Sequence, residues 1–455
     1  MMFVEGYTDQ LSYRAGEQVR FHVSTSADEY ALEVTRIGAE REVVWRQDQL
    51  PGSSHPVPED ASSNGCGWPV SHSLEVPDDW RSGYYEFALH AEDQGGKFVR
   101  RGRRTAESRG FFIVRPSAEL RSKPAGPTDA RILLQLATNT YSAYNNWGGY
   151  SFYSYHGRGG LQGHRVSFDR PMAGLFDRWE RDFVEWAEGA GYALSYCANS
   201  DLEWHPELLD NYRLVLSVGH DEYWSAPMRD HLEAYIAAGG NAAFFSGNSV
   251  CWRVRSEDEG RALVCWKQQF NMDPAYAAGD YANLSTLWSH HLVGRPENEL
   301  TGVGFLYGGY HLSHGQYMDG SGAFTVHRPN HWVFAGTDLQ RGDTFGGEHT
   351  IVGYECDGCE YVLENGLPVP KGTYGTPADF TILCTAPARW HPDDSVWYER
   401  WEKGREGAAV MGLYTRGGTV FTAGTTDWSH GLKGDATVAQ ITRNVLDRLS
   451  RTTTT

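Results

Sequence analysis

The amino-acid sequence predicts an all-β domain followed by an α/β domain. The first is an immunoglobulin-like β-sandwich over residues 1–116, joined by a linker at 117–130 to a parallel sheet with helices on its faces over 131–455. Two observations lead there. Short runs of alternating apolar and polar residues, punctuated by Gly and Pro, fill the first part. From Arg131 onward, continuous apolar runs alternate with helical periods, the pattern of strands buried on both faces between helices.

In the first domain Glu17–Ser24 and Glu29–Arg36 alternate, and Tyr84–His90 and Gly110–Val114 follow after turns. Short strands with regular turn signals suit a sandwich. Pro116, Pro124 and Pro127 mark the linker, which has no apolar period. Ile132–Ala137 is the first doubly buried strand. Pro171–Ala190 places Met172, Leu175, Phe176, Trp179, Phe183, Trp186 and Ala187 at helical spacing, with Gly191 as the stop. Tyr192–Tyr196, Arg213–Val218 and Ala242–Phe245 are further strands, with a helical turn at Leu202–Leu209. Ser225 caps the next helix and Pro227 lies in its first turn. Near the end, Ala409–Tyr414 and Thr419–Ala423 are strands and Val438–Leu449 is a closing helix. The alternation is that of an open, flavodoxin-like sheet of the glutamine-amidotransferase kind. Between about 270 and 405 the helical period is lost, and Thr350–Glu355 and Phe380–Thr385 are β-like; this segment reads as a β-rich insertion on the functional edge.

A chain of 455 residues suits about three domains, or two with insertions. Acidic residues outnumber basic ones 58 to 40, a net charge of −18, which argues against a nucleic-acid partner. The most apolar stretch, Tyr235–Gly247, is short and broken by Gly, so no membrane span is expected. The N-terminus lacks the pattern of a signal peptide, and the seven scattered cysteines suit reduced thiols; both favour a cytoplasmic location.

In open parallel sheets, ligands bind beyond the carboxyl ends of the strands. Three loops sit there: Thr138–Gly149, with Tyr141 and Tyr144; Gly219–Trp224, with His220 and Glu222; and Ser246–Ser249, with Asn248. Each carries more polar and aromatic groups than a plain turn needs. The sequence contains no G-x-S-x-G, P-loop or H-E-x-x-H motif, and Gly219–Tyr223 has no cysteine to serve a glutamine amidotransferase. Cys356 and Cys359 form a lone C-x-x-C, short of a zinc ribbon. Pro329 keeps His327 and His331 off one helix face, and His290, His291, His311 and His314 read as loop contacts.

Six segments in order, NTYSAYNNWGG, VSFDRP, GHDEYWS, AAGGNAAFFSGN, VGYECDG and GTTDWSHGL, resemble the large-subunit family of N,N-dimethylformamidase. The likeness covers roughly residues 130–450, and the sandwich more loosely through Ser82–Tyr85. The resemblance implies a mononuclear non-haem iron, ferric in charge balance, held by two tyrosines and a glutamate. These fall on Tyr85, with Tyr84 as the alternative register, on Tyr141, with Tyr144 as the alternative, and on Glu222. His220 and Glu355 take the catalytic positions, Asn248 the polar position that would steady an oxyanion, and Lys267 a weaker match in the pocket. Hard phenolate and carboxylate oxygens suit a hard cation acting as a Lewis acid. Ligands on both sides of the linker would make the metal a clamp between the domains.

The implied function is hydrolysis of the C–N bond of a small N-substituted or N-formyl amide, with Glu355 or His220 as the base. Trp147, Trp224 and Trp252 are candidates for an apolar wall. In the family an additional N-terminal domain precedes the sandwich and a small partner subunit is present. A homo-oligomer or a small partner subunit is therefore the expected assembly. The competing reading is a non-catalytic ligand- or glycan-binding protein on the same scaffold.

Overall fold

The computed structural model describes residues 2–93, 104–116, 131–311, 322–390 and 406–451; the linker and His314 lie outside them. Ahead of the linker, a three-stranded sheet (Val4–Thr8, Gln18–Thr25, His72–Glu75) faces a five-stranded one. The five strands run Ser12–Tyr13, Arg104–Val114, Gly83–Asp93, Glu29–Ile37, Arg41–Pro51 across the sheet. Val19, Phe21 and Val23 from one sheet and Leu32, Val34, Phe87, Leu89 and Phe112 from the other share one core. Strand periodicity sets what each side chain of Gly83–Asp93 meets. Tyr85, Phe87 and Leu89 point into this core, while Tyr84 points out to the core of the second domain. The strand Arg41–Pro51 escapes sequence reading because it is an edge strand, mostly exposed and polar.

A nine-stranded sheet organises the rest. Its first five strands, Leu194–Ala198, Ile132–Leu136, Leu214–His220, Asn241–Gly247 and Gly418–Thr422, are parallel. In chain order they lie 2-1-3-4-5, which places a switch point between Ile132–Leu136 and Leu214–His220. Successive residues of these strands go to opposite faces. Leu134, Ala243 and Phe245 join a core with the helices Phe176–Gly189 and Ala436–Ser450; Leu133, Ala242 and Phe244 join another with Ala226–Ala237. The result is a three-layer arrangement of helices, sheet and helices.

The other four strands, Glu406–Arg416, Thr381–Arg389, Phe324–Val326 and Thr344–Phe345, continue the sheet antiparallel. Part of the segment read as an insertion is thus the second half of the main sheet, and the sheet is mixed rather than parallel. Thr350–Glu355 is no strand; pairing begins at Cys356–Gly358. The helix expected from Pro171 begins at Phe176, because Gly174 holds a φ of +78° just ahead of it. All seven cysteines are free and buried, and no helix among the described residues is long and apolar enough to cross a membrane.

The sandwich is locked to the α/β layers by polar contacts. Arg36 makes two hydrogen bonds to Glu188, at 2.6 and 3.0 Å, with side-chain exposures of only 5% and 12%. Arg115 pairs with Asp201 at 3.2 Å, and Ser12 Oγ donates to the same carboxylate at 2.7 Å. Removing one member of a buried pair leaves an uncompensated charge. Arg36→Met is therefore expected to lower stability in urea unfolding by about 3–5 kcal/mol, and the double variant Arg36→Met/Glu188→Leu to recover most of that loss.

Candidate functional site

The crevice at the switch point is built from strand ends. His220 is the last residue of the fully buried strand Leu214–His220, and Glu222 follows it by two positions. Gly219 makes the bend: its φ is +78°, and a Cβ there would meet Trp179 Cβ at 2.3 Å. Glycine thus lets the Trp179 ring approach to 5.1 Å from the His220 ring. The adjoining strand, Asn241–Gly247, delivers Asn248 with a left-handed φ of 46°. At Gly247 a Cβ would sit 2.6 Å from the Glu355 carbonyl oxygen, so the chain bearing Glu355 lies directly on this strand end.

Four expected side chains meet there, all buried. His220 Nε2 is 3.2 Å from Glu222 Oε2 and 3.2 Å from Glu355 Oε2. Asn248 Nδ2 donates to Glu355 Oε2 at 3.2 Å and to Glu222 Oε1 at 3.4 Å. Both amide hydrogens are therefore engaged, and Asn248 Oδ1 is left buried without a partner. The free atom is an acceptor, which cannot steady an oxyanion. Trp252 Nε1 donates to Glu222 Oε1 at 2.7 Å. Lys267, buried with a φ of 52°, donates to Tyr223 at 3.0 Å; Tyr223 donates to Tyr153 at 2.9 Å, and Tyr153 to Glu222 Oε2 at 2.8 Å.

The electrostatics follow from burial and proximity. Burial pulls the His220 pKa down, but Glu355 and Glu222 outweigh it and hold it at about 9. Its Nδ1 faces the Gly247 carbonyl at 3.3 Å, which can only accept, so that nitrogen carries a proton. Burial, then the charge of Glu222, pushes Glu355 up to about 7 despite the opposing pull of His220. For Glu222 burial acts upward, yet His220 and Lys267 prevail and its pKa is lowered. Burial lowers Lys267.

The tyrosines divide differently from expectation. Tyr85 lies in the sandwich core with its hydroxyl donating to the Arg81 carbonyl at 2.6 Å. Tyr84 stacks on Phe176 with ring centres 4.0 Å apart. Strand alternation sends the doublet to two cores, and neither hydroxyl joins Glu222. Tyr141 is buried against Phe111 and donates to Glu180 Oε1 at 2.5 Å, so it too is engaged elsewhere. Neither tyrosine of the sandwich doublet therefore lies beside Glu222, and the Arg36–Glu188 pair ties the sandwich to the α/β layers. One helical turn further on, Tyr144 OH lies 3.2 Å from His220 Nε2, and its ring is 4.3 Å from that of Tyr153. Tyr153 was not singled out by the sequence reading. Its signal is the aromatic-rich segment Tyr150–His156 directly after Gly148-Gly149 in a strand-end loop.

Of the three tryptophans, only Trp252 touches the cluster. Trp147 donates to Glu5 in the sandwich, and Trp224 packs in the opposite core while donating to the Asp221 carbonyl. His311, His327 and His331 bond Pro387, Thr385 and Val333. Among the described residues, no group of three or more His, Cys, Asp or Glu is arranged to hold a metal ion. The extra oxygens beside Glu222 are phenolic.

Residues 31–442 match the family described as N,N-dimethylformamidase beta subunit-like, C-terminal. The N,N-dimethylformamidase beta subunit of Alcaligenes sp. is 23% identical over 445 residues, covering 84% of this chain and 54% of that subunit. The same subunit of Paracoccus aminophilus is 24% identical over 429 residues, covering 85% and 55%. The chain thus spans about half the length of these relatives. The solved structure of Spo0M, a sporulation control protein of Bacillus subtilis, matches 28% of this chain and 50% of its own at 14% identity, with a TM-score of 0.17.

Burial raises the Glu180 pKa to about 8, from an ordinary value of 4.5. The folded chain then keeps this proton while the unfolded chain loses it, so stability falls as pH rises between about 4.5 and 8. Glu180→Gln has no proton to lose, and its unfolding midpoint is expected to vary less than that of the parent between those pH values.

Proposed function

The chain belongs to the N,N-dimethylformamidase beta subunit-like, C-terminal family, and from that premise we propose that it is an iron-dependent amidohydrolase. Its substrate is a small N-substituted or N-formyl amide. The observation that carries this reading is the pair of buried carboxylates, Glu222 and Glu355, bridged by His220 and by Asn248.

The donor set fits a hard cation. Tyr153 donates to Glu222, Tyr144 lies against His220 with its ring 4.3 Å from that of Tyr153, and burial with the charge of Glu222 drives both phenols far above their ordinary pKa. A cation relieves that penalty, and oxygen donors suit ferric iron. Glu222, Tyr144 and Tyr153 would hold it, in place of the set containing Tyr85 and Tyr141. When bound, the ion supplies Lewis acidity that polarises the amide carbonyl and acidifies water.

The chain's own groups move the protons. Glu355, poised near neutrality, accepts a proton from water at Oε2. The water oxygen bonds to the carbonyl carbon, the C–N bond breaks, and Glu355 returns the proton to the leaving nitrogen. An acid and an amine result, with no change of oxidation state. His220 is protonated on Nδ1 and held cationic between two carboxylates, so it donates and orients Glu355 rather than serving as the base. The free Oδ1 of Asn248 can accept from the attacking water or the leaving N–H.

Visible spectra and metal analysis of purified variants test the assignment. Tyr144→Phe and Tyr153→Phe are expected to lose iron and the tyrosinate-to-ferric colour, whereas Tyr85→Phe and Tyr141→Phe keep both. Glu355→Gln is expected to keep iron while kcat falls about 10²- to 10⁴-fold. Full activity in Glu355→Gln would remove it from the mechanism.

A further inference from the structure

Beside the cluster stands a cation that, among the described residues, has no anionic partner. Arg178 is exposed in the first turn of the helix Phe176–Gly189, with its guanidinium carbon 4.2 Å from the Trp179 ring centre and 5.0 Å from that of Tyr354. Among the described residues it makes no ion pair, although acidic side chains outnumber basic ones 58 to 40. Its neighbours do pair: Arg181 bridges Asp177 and Glu185 at 3.3 and 2.7 Å.

The rings that hold Arg178 are also walls of the site. Their centres lie 5.1 Å (Trp179) and 6.1 Å (Tyr354) from the His220 ring. Asp427 fixes both walls, accepting from Trp179 Nε1 at 3.3 Å and from the Tyr354 backbone N–H at 2.9 Å. Tyr155, 68% exposed, has its ring 5.2 Å from Tyr153. The charge of Arg178 is felt by the hydroxyls of both Tyr155 and Tyr354. One indole thus separates the Arg178 guanidinium from His220.

We propose that Arg178 sets the substrate class of the site: small amides that carry a carboxylate close to the scissile bond, of the N-formyl or N-acyl amino acid type. This rests on the amidohydrolase reading and deepens it. A guanidinium fork matches a carboxylate in shape and charge. Attraction by Arg178 and repulsion by Glu222 and Glu355 orient the substrate with its amide toward His220. For N-formylglycine, a C–O bond forms from water, the C–N bond breaks, and formate and glycine leave.

The full chain is titrated calorimetrically with N-formylglycine and with N-formylglycinamide, which differ in the charge. At low salt the acid is expected to bind about tenfold more tightly, with the margin shrinking at about 0.5 M salt. In Arg178→Gln the ratio falls to near one, and Arg178→Lys keeps part of it. Equal binding of the two by the parent, no binding of either, or a preference that survives Arg178→Gln overturns the proposal. Formate release separates the two ideas. Selective binding without formate release sinks the amidohydrolase reading and leaves Arg178 standing, whereas release from both compounds at equal kcat/KM does the reverse.

Discussion

The desolvation of four buried carboxylates is the constraint on which the cluster depends. Asp221, Glu222, Glu355 and Asp357 are all nearly inaccessible, and a buried charge persists only where partners or protons offset its desolvation. The chain solves this in two tiers. In the lower tier, Asp221 accepts from Gln135 at 2.5 Å, Ser217 at 2.9 Å and Asn199 at 3.2 Å. The hydroxyls of Ser217, Ser246 and Ser249 then link toward Asp357, which accepts from the Ser249 backbone N–H. Burial raises Asp221 to about 6 and Asp357 to about 7, so dipoles and protons suffice there. The upper tier instead uses cations. His220 stands between Glu222 and Glu355, and Lys267 reaches Glu222 through two tyrosine hydroxyls. That difference separates acids offset by dipoles and protons from acids offset by cations.

Placing those groups demands unusual backbone. Asn248 and Lys267 adopt left-handed conformations, at φ of 46° and 52°, which cost of order 1 kcal/mol or more each outside glycine. The surrounding contacts over-determine them. Asn248 is tied to both carboxylates through one amide group, and Lys267 lies 3.6 Å above the Tyr153 ring and 4.7 Å from that of Trp252. Gly219 and Gly247 serve the same end by admitting Trp179 and the Glu355 chain where any side chain would collide.

What the sequence reveals and conceals follows from the range of each signal. Periodicity is local, so Ile132–Leu136, Leu214–His220 and Asn241–Gly247 are legible almost to their ends, and with them the strand-end loops bearing His220, Glu222 and Asn248. Strand partners are not local. Thr381–Arg389 reads as β, yet nothing nearby shows that it extends the main sheet rather than forming an insertion. The tyrosines are the sharpest case. Tyr141 and Tyr144 stand three residues apart on one short helix, and only the packing of Glu180 and Phe111 against the first decides which reaches His220. Tyr84 and Tyr85 are likewise separated by strand alternation, once it is known that both faces of that strand are covered. Tyr153 hides because an aromatic loop residue has no period to betray it.

The cluster also joins two sheets, since Cys356–Gly358 pairs with Gly304–Gly309 apart from the nine-stranded sheet. His220, Glu222 and Asn248 come from ends of the parallel half, whereas Glu355 arrives on the segment leading into Cys356–Gly358. That segment is pinned to the loop beyond Gly418–Thr422, where the parallel and antiparallel halves meet: the Glu355 carbonyl accepts from the Thr426 N–H at 3.1 Å, and Thr426 Oγ1 accepts from the Glu355 N–H at 3.3 Å. The distance between Glu355 and His220 is therefore set by the packing of the two-stranded sheet of Gly304–Gly309 and Cys356–Gly358 against the ends of the parallel strands. Gly247 is the point of closest approach, since only a missing Cβ leaves room for the Thr426 and Glu355 backbone. A side chain there would collide with the Thr426 N–H and the Glu355 carbonyl and so displace the segment that carries Glu355, whereas Tyr144 and Tyr153 arrive on the loop after Ile132–Leu136; the two groups of side chains are carried by different parts of the fold.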